Sequence, residues 1–248
     1  MIIKILGNGG AISNGLNYNS FIIDDKILCE TPPDIINSLF RENINITDIN
    51  FIIISHFHAD HFFGFPFLIL NLFYLNYNSL NKKTYHVFGP EGIKNKSKEI
   101  LSIGFGVEHP VLKWMEENFN FIEITEDKPF SISHYIFNFY KMNHFILTYG
   151  FIVKTEENKM IFSYIADTVW CDNITKILKK LPKHVLIDIN GESNDPVKVH
   201  LSEDDIKKLA CSITGTKTHY WGTHLKENKK SNDAFISYAF PGLIIDTD

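Results

Sequence analysis

The sequence predicts an α/β protein in which two β-sheets are covered by helices. Many short apolar runs bounded by Gly, Asn and Asp read as strands, and a few segments with apolar residues at helical spacing lie between them. These helices are interspersed rather than alternating one for one with strands, which disfavours a simple doubly wound parallel sheet. A 44% hydrophobic share over 248 residues is enough for a sizeable core. No internal repeat, low-complexity linker or block of like charge marks a boundary, so one domain over residues 1–248 is expected.

The chain opens with IIKIL, NSFII and KILCE, strand runs separated by turns that carry Gly and Asn. DIINSLFREN follows as a short helix with Ile35, Ile36, Leu39 and Phe40 at helical spacing. FIIIS reads as a strand buried on both faces, because its apolar residues do not alternate with polar ones. Residues 62–77 are apolar almost all round and suit a buried helix. On that helix Phe62, Phe63, Phe65, Phe67, Phe73 and Tyr74 are expected in the core. YHVFG, NFIEI, SHYIFNFYKM, YGFIVKT and KMIFSYIAD supply further strands, and ITKILKKL a short amphipathic helix. HVLIDI is another buried strand. Ser202 to Ser212 forms a helix opened by a variant capping box, Ser202 with Asp205. THYWGTH is the last clear strand, before a less definite tail.

A net charge of −5 gives no global positive field for a nucleic acid, so no stable nucleic-acid partner is expected. Cys29, Cys171 and Cys211 are far apart and in no C-x-x-C pair, which indicates neither a disulfide framework nor a cysteine zinc site. MIIKILGNGG shows no charged leader with a long apolar stretch, and FFGFPFLILNLF is too short and too interrupted for a membrane span. The expectation is a cytoplasmic protein without a membrane partner. LGNGGAIS fails the dinucleotide pattern G-x-G-x-x-G at Ile12 and reads as a tight hairpin turn.

The chemistry concentrates in SHFHADHFFG. His56 and His58 are two apart, so in extended backbone they project to the same side and can share one metal. Asp60 and His61 are adjacent where the chain turns toward a helix, and can face a second position close by. Imidazole nitrogens with a carboxylate oxygen suit zinc, with manganese or iron as substitutes. Two sites short of ligands within the motif must recruit others from further along the chain.

This H-x-H-x-D-H motif after a buried strand resembles the hallmark of the metallo-β-lactamase superfamily. With LGNGGAIS, NSFII and ILCETPPD, the chain is similar to its phosphodiesterase branch, which includes the tRNA 3′-processing endoribonuclease, the cyclic phosphodiesterase of phosphonate metabolism and phage anti-Pycsar cyclic nucleotide phosphodiesterases. Many members carry aspartate where this chain has Glu30. The resemblance implies a four-layer αββα sandwich and two divalent metals, zinc first and manganese second. By the same resemblance His144 in MNHFILTYGFIV completes the His56 and His58 site, Asp167 in YIADTVW bridges both metals, and His224 in GTHL joins Asp60 and His61. Asp60 also holds the attacking group in line. His219 is the rival for the last position. It lies five residues from His224, so in a strand it faces the other way. In NGESNDPVKVHLSEDD, His200 resembles the branch's general acid and Glu192 its orienting partner.

The reaction implied is hydrolysis of a phosphodiester to a monoester by a hydroxide that the two metals activate. The tRNA-processing enzymes carry a long protruding arm. Here about thirty residues of mixed charge separate HVFGP from NFIEI, which favours a small 3′,5′-cyclic mononucleotide as in the phage counter-defence relatives. tRNA 3′ processing, 2′,3′-cyclic phosphodiester hydrolysis, lactone or β-lactam hydrolysis and a non-enzymatic nucleotide sponge are the alternatives. A homodimer is expected from the family, with GFGVEHPVLKW as an interface or lid. His86, His109, His134 and His184 match no motif and read as structural or surface residues. Tyr164, Trp170 and Trp221 lie near the metal-bearing loops, where any of them could contact a base.

Overall fold

Alternation along the strands decides the layering. In β1 (Ile2–Gly7), β2 (Ser20–Ile23), β3 (Ile27–Cys29) and β4 (Phe51–Ile53), successive side chains face opposite ways, as extended backbone requires. Ile3, Ile5, Phe21, Ile23, Ile27 and Ile53 enter one core, while Leu6, Ile22, Leu28 and Ile52 enter another. β5 (Tyr85–Gly89) and β6 (Phe119–Glu123) continue this sheet with parallel pairing. The second sheet contains β7 (Phe130–Ile132), β8 (Tyr135–Lys141), β9 (Tyr149–Thr155), β10 (Met160–Ile165), β11 (His184–Asp188), β12 (His219–Thr223) and β13 (Ile236–Tyr238). Its spatial order is β13-β12-β11-β10-β9-β8-β7, with β10 to β13 parallel. β14 (Ile244–Asp246) returns to pair antiparallel with β1, giving the first sheet the order β14-β1-β2-β3-β4-β5-β6. The computed structural model describes residues 1–76, 83–126, 128–194, 196–231 and 233–247.

Three cores separate four layers. The central one lies between the sheets and is aromatic: Phe21 meets Phe162 and Tyr164 edge-on, with ring centroids 5.8 and 5.0 Å apart. Each such side chain contributes about 1.5–3 kcal/mol through burial. On the outer face of the first sheet pack α1 (Ile35–Arg41), α2 (Ala59–Phe62), α3 (Phe65–Asn76), α4 (Ile93–Phe105) and α5 (Pro110–Asn118), which bury Leu39, Phe65, Leu68, Leu101 and Met115. On the second sheet's outer face α6 (Asp172–Leu178) and α7 (Glu203–Leu209) bury Ile177, Leu178, Ile206 and Leu209 against Ile165, Val185 and Ile187. The architecture is therefore the αββα sandwich the sequence implied. Among the described residues no helix is long and apolar enough to cross a membrane.

Several elements differ from the sequence reading. The segment between β5 and β6 is a helical pair, with Ile93, Ser97 and Leu101 buried four residues apart on α4. Residues 8–19 form a loop rather than a tight hairpin, and its Gly9 bridges both Tyr18 and Leu225. Only Phe62, Phe65 and Phe73 of the aromatic run are buried; Phe63, Phe67 and Tyr74 are exposed, although the Phe67 ring lies 6.2 Å from that of Phe105 on α4. The end of the predicted helix at Tyr77 lies outside the described residues. The capping box forms, with Ser202 Oγ accepting from Asp205 N at 3.3 Å and Asp205 Oδ2 accepting from Ser202 N at 2.9 Å, but α7 passes into a π-turn at Ala210.

At the start of β11, Trp221 Nε1 donates to His184 Nδ1 at 3.3 Å, a bond that requires an unprotonated Nδ1. Burial, then the neighbouring Lys183 charge, lowers the His184 pKa from 6.5 to about 4. As pH falls, the unfolded chain takes up this proton first, so the contribution is complete above the unfolded value and fades toward about pH 4. A His184→Gln protein is expected to lose a few degrees less in melting temperature across that window, read by circular dichroism. An acid limb identical to that of the parent would refute this.

Candidate metal centre

The parallel strands β4, β10, β11 and β12 end at one edge of the two sheets, and the histidines and aspartates singled out in the sequence gather there. After β4 the chain bends at Ser55 and reaches His58, in extended conformation at the N-terminus of α2, and that four-residue helix then carries Asp60 and His61. The motif is clamped from the β3–α1 loop: Thr31 N donates to His61 O at 2.8 Å and Gly64 N to Thr31 O at 2.8 Å. A Cβ at Gly64 would lie 1.9 Å from Pro32 O, so only glycine admits this turn. His144 is held by a second clamp, in which Asn143 N donates to Thr168 Oγ1 at 3.1 Å and Val169 N to Asn143 O at 3.0 Å. Asp167 follows the end of β10 after one residue, Ala166. His224 follows β12 with φ +60°, a left-handed conformation that costs a non-glycine residue energy and recurs at functional sites.

The donor atoms singled out in the sequence form two groups, and a third set of close donors, Asp167, Asp188, His200 and His224, overlaps both. His58 Nδ1 lies 3.1 Å from His56 Nε2 and 3.2 Å from His144 Nε2, with Asp167 Oδ2 3.9 Å from both Nε2 atoms. In the second group His224 Nε2 is 3.3 Å from His61 Nε2 and 3.0 Å from Asp60 Oδ2, while Asp167 Oδ1 is 3.3 Å from His61 Nε2. Ligands bonded tetrahedrally at 2.0–2.1 Å stand about 3.3 Å apart along each edge. The second group and the histidine contacts of the first match that spacing, while Asp167 Oδ2 stands wider, 3.9 Å from His56 and His144 Nε2. The buried Asp167 carboxylate lies between the two groups, with Oδ2 3.4 Å from His224 Nε2 as well as 3.9 Å from His56 and His144 Nε2, so these residues fit a pair of divalent metals.

Behind the donors a hydrogen bond orients the His56 ring and two carboxylates face the His61 and His224 rings at ion-pair distance, where metal-ligating histidines have their outer partners. Ser55 Oγ is 2.8 Å from His56 Nδ1, Glu30 Oε1 is 3.5 Å from His61 Nδ1, and Asp188 Oδ1 is 3.4 Å from His224 Nδ1. Glu30 is buried at φ +67° and accepts from Ser55 N at 3.2 Å and from Tyr164 OH at 3.2 Å. Burial disfavours the His224 cation, but Asp167 and the Asp188 and Asp60 hydrogen bonds outweigh it and push its pKa up to about 10 in the metal-free protein. Burial likewise works against the Asp167 carboxylate, whose pKa is nevertheless held well below the usual range by His224 and His61. A dication bound there would replace these protons as the counter-charge.

The structure thus brings His56, His58, Asp60, His61, His144, Asp167 and His224 together. It also brings His200 beside them, but on a different partner from the one the sequence suggested. His200 Nδ1 meets Asp188 Oδ2 at 2.6 Å, whereas Glu192 is exposed on the cavity rim with no hydrogen-bond partner among the described residues. The orienting role read for Glu192 is corrected on this geometry: Asp188, fixed at the end of β11 and accepting from Asn190 N at 3.0 Å, occupies that place. An acid closing the otherwise apolar run HVLI was the available signal. His219, at the opposite end of β12, meets Ser237 Oγ at 3.0 Å and stays away from the centre. Tyr164 is fully buried in the Glu30 network and cannot reach a base.

A family model described as "Anti-Pycsar protein Apyc1" matches residues 1–244. The chain belongs to the anti-Pycsar Apyc1 family. This places it within the metallo-β-lactamase-fold phosphodiesterase superfamily. Among curated proteins, ribonuclease Z of Picrophilus torridus is 28% identical over 166 residues, covering 64% of this chain and 48% of that one. The chain spans about half the length of such relatives. Among solved structures it is similar to the metallo-β-lactamase fold protein YhfI from Bacillus subtilis, with a TM-score of 0.77, 14% identity and 98% of each chain covered. Human tRNase Z, short form, gives a TM-score of 0.74 at 16% identity with both chains covered in full. At such identity these structures establish the fold of this Apyc1-family chain.

Proposed function

We propose that this chain, as one hydrolase domain, hydrolyses a 3′,5′-cyclic mononucleotide to a nucleoside monophosphate and serves as a phage counter-defence enzyme. The observation that carries the reading is the His200–Asp188 pair beside a two-site donor cluster, at the floor of a cavity of about 440 Å³. Such a volume suits a mononucleotide. α4 and α5 pack on α3 and the first sheet, so the described part of the segment between β5 and β6 offers no arm for a folded RNA.

His56, His58 and His144 would hold one metal, Asp60, His61 and His224 the other, with Asp167 shared; zinc is the proposed ion and manganese the alternative. Bound there, the ions supply Lewis-acid stabilisation of phosphate charge and lower the pKa of water. Asp60, with one oxygen on His224 and the cavity on its other side, accepts a hydrogen bond from the attacking water and orients it. That water's oxygen bonds to phosphorus as one P–O ester bond breaks; one water proton stays with the product phosphate and the other is released to solvent, from which His200 is later reprotonated. His200 gives its proton to the departing ribose oxygen. Asp188 holds the His200 ring and raises its pKa against the opposing effect of burial, which favours the protonated form the acid needs. Glu192, on the rim, has no step in this sequence.

A homodimer belongs to the same proposal, and exposed Phe63, Phe67, Tyr74 and Ile103 are the apolar surface such pairing would cover. Three free cysteines suit the proposed cytoplasmic setting. The test is to give zinc- or manganese-loaded protein 3′,5′-cyclic nucleotides, 2′,3′-cyclic nucleotides and a 3′-extended tRNA in parallel. Fast turnover of the first class to monophosphates is expected. Cleavage of the tRNA with inert cyclic nucleotides would instead support the ribonuclease Z reading, and turnover of the 2′,3′ class alone would move the substrate there.

A further inference from the structure

Behind the donor cluster a run of buried polar side chains crosses between the two sheets through an otherwise aromatic core. Thr223 ends β12, Asn19 precedes β2, Tyr164 lies on β10 and Glu30 follows β3, so the run changes sheet at every step. Thr223 Oγ1 donates to Asn19 Oδ1 at 2.7 Å, Asn19 Nδ2 to Tyr164 OH at 2.8 Å, and Tyr164 OH to Glu30 Oε1 at 3.2 Å. The same Glu30 oxygen faces His61 Nδ1 at 3.5 Å. All five residues are at most 2% exposed. Chemistry fixes the direction of the run: a carboxylate accepts, so the phenol donates to it, its oxygen accepts from the Asn19 amide, and the Asn19 carbonyl is left for Thr223. Each bond polarises the next toward Glu30. Packing does not require the phenol. Tyr164 lies 5.0 and 5.6 Å from the Phe21 and Phe151 ring centroids, where a phenylalanine ring would fill the same space. Its hydroxyl serves Asn19 and Glu30.

Both ends of the run stop at the second donor group. Glu30 faces His61, and Thr223 is joined by one peptide bond to His224, the histidine held at φ +60°. His61 arrives from the side of the first sheet and His224 from the second, so the 3.3 Å between their Nε2 atoms depends on how the sheets are spaced at this edge. Three hydrogen bonds across the gap set that spacing more narrowly than apolar contact does. We infer, on the two-ion assignment proposed above, that the Thr223–Asn19–Tyr164–Glu30 run positions the second donor group, with Tyr164 as a positioning residue for the ion held by Asp60, His61 and His224. Tyr164 holds Glu30 Oε1 against His61 Nδ1, so that nitrogen carries the ring proton and Nε2 keeps its lone pair for the ion. The first donor group has ties of its own: Tyr149 N donates to Ser55 O at 3.1 Å between the sheets, and Ser55 Oγ lies 2.8 Å from His56 Nδ1. Glu30 Oε2 also keeps its bond from Ser55 N without the phenol. Loss of the Tyr164 hydroxyl is therefore felt at one site and not the other.

The experiment measures zinc affinity by chelator competition in proteins with a single site left: His56→Ala keeps the second, His224→Ala the first. Each background receives Tyr164→Phe, Thr223→Val or the control Ser163→Ala, which removes a buried hydrogen bond from Ser163 Oγ to Phe151 O on β10 but outside the run. Tyr164→Phe is expected to weaken zinc about ten-fold in His56→Ala, the lower end of what removal of an outer-shell partner costs, and to leave His224→Ala unchanged. The visible absorption of cobalt bound in place of zinc shifts in the first background alone. Thr223→Val acts in the same direction and carries the test if Tyr164→Phe does not fold. Ser163→Ala lowers the melting temperature and changes neither affinity. Equal weakening at both sites, or none at the second, overturns the positioning role and leaves the two-ion assignment intact. If His56→Ala binds no zinc, that assignment fails and takes the positioning role with it.

Discussion

An Asp167→Ala protein is expected to lose both metals and, with them, turnover. The loss should exceed the roughly 10–100-fold fall in metal affinity that removal of an outer-shell partner causes. Asp167 stands near both donor groups: Oδ1 lies 3.3 Å from His61 Nε2, and Oδ2 lies 3.4 Å from His224 Nε2 and 3.9 Å from His56 Nε2 and His144 Nε2. His56→Ala removes a donor from the first group alone, so metal analysis after dialysis should return about one ion per chain for it and about none for Asp167→Ala. The single replacements also separate His224 from His219: loss of His224 depletes the second site, and loss of His219 does not. Asp167→Ala protein that retains two ions per chain would remove the shared-ligand assignment. Asp167→Asn distinguishes charge from shape, because the amide fills the same space without the charge that now holds the His224 pKa near 10.

The donor set was legible because its chemistry is local and its types are unusual. Three histidines and an aspartate within Ser55 to Gly64 have few uses besides a metal, and an extended-then-helical backbone is the geometry that lets His56 and His58 face one way and Asp60 and His61 another. His144, Asp167 and His224 lie 83, 106 and 163 residues beyond His61, so only a family pattern could assign them; periodicity could not. Asp188 escaped because its importance is tertiary: it matters through the arrival of His200 and His224 from two other segments. The strand-end acid looked like ordinary punctuation. Glu192 was read as the partner because a glutamate upstream of His200 resembles the glutamate–histidine pair of the phosphodiesterase branch, but here that side chain is exposed.

The fold was readable wherever burial was two-sided or periodic over five or more residues, as in β5, β8 and β9. β7, β13 and β14 each have three residues, too few for a period, and exist because a neighbouring strand edge offers hydrogen bonds. The half-exposed aromatic run of α2 and α3 shows the reverse limit. Composition announces that a segment is apolar, but how many of its faces are covered depends on α4 and α5, which approach from residues 93–118.

His200→Ala should retain both metals and lose about 10²–10⁴ in kcat, the usual worth of a positioned general acid. The reason is spatial: His200 is half-buried at the cavity, outside both donor groups proposed for the two metals, with Nδ1 committed to Asp188 at 2.6 Å and the other ring nitrogen free to serve the substrate. Asp188→Asn is the sharper variant, because it keeps the volume and changes the charge. Asp188 raises the His200 pKa against burial, so its neutralisation lets that pKa fall. A general acid works only below its pKa. The wild-type alkaline limb of kcat should therefore lie above the ordinary histidine value of 6.5, and in Asp188→Asn it should move to lower pH, with a smaller loss at acid pH than at neutral pH. A substrate with an activated leaving group, such as a p-nitrophenyl diester, needs little proton donation and should narrow the difference between His200→Ala and wild type. An unchanged limb in Asp188→Asn, or an equal loss on activated and unactivated diesters, would reduce the pair to a structural support for His224, which Asp188 also contacts at 3.4 Å.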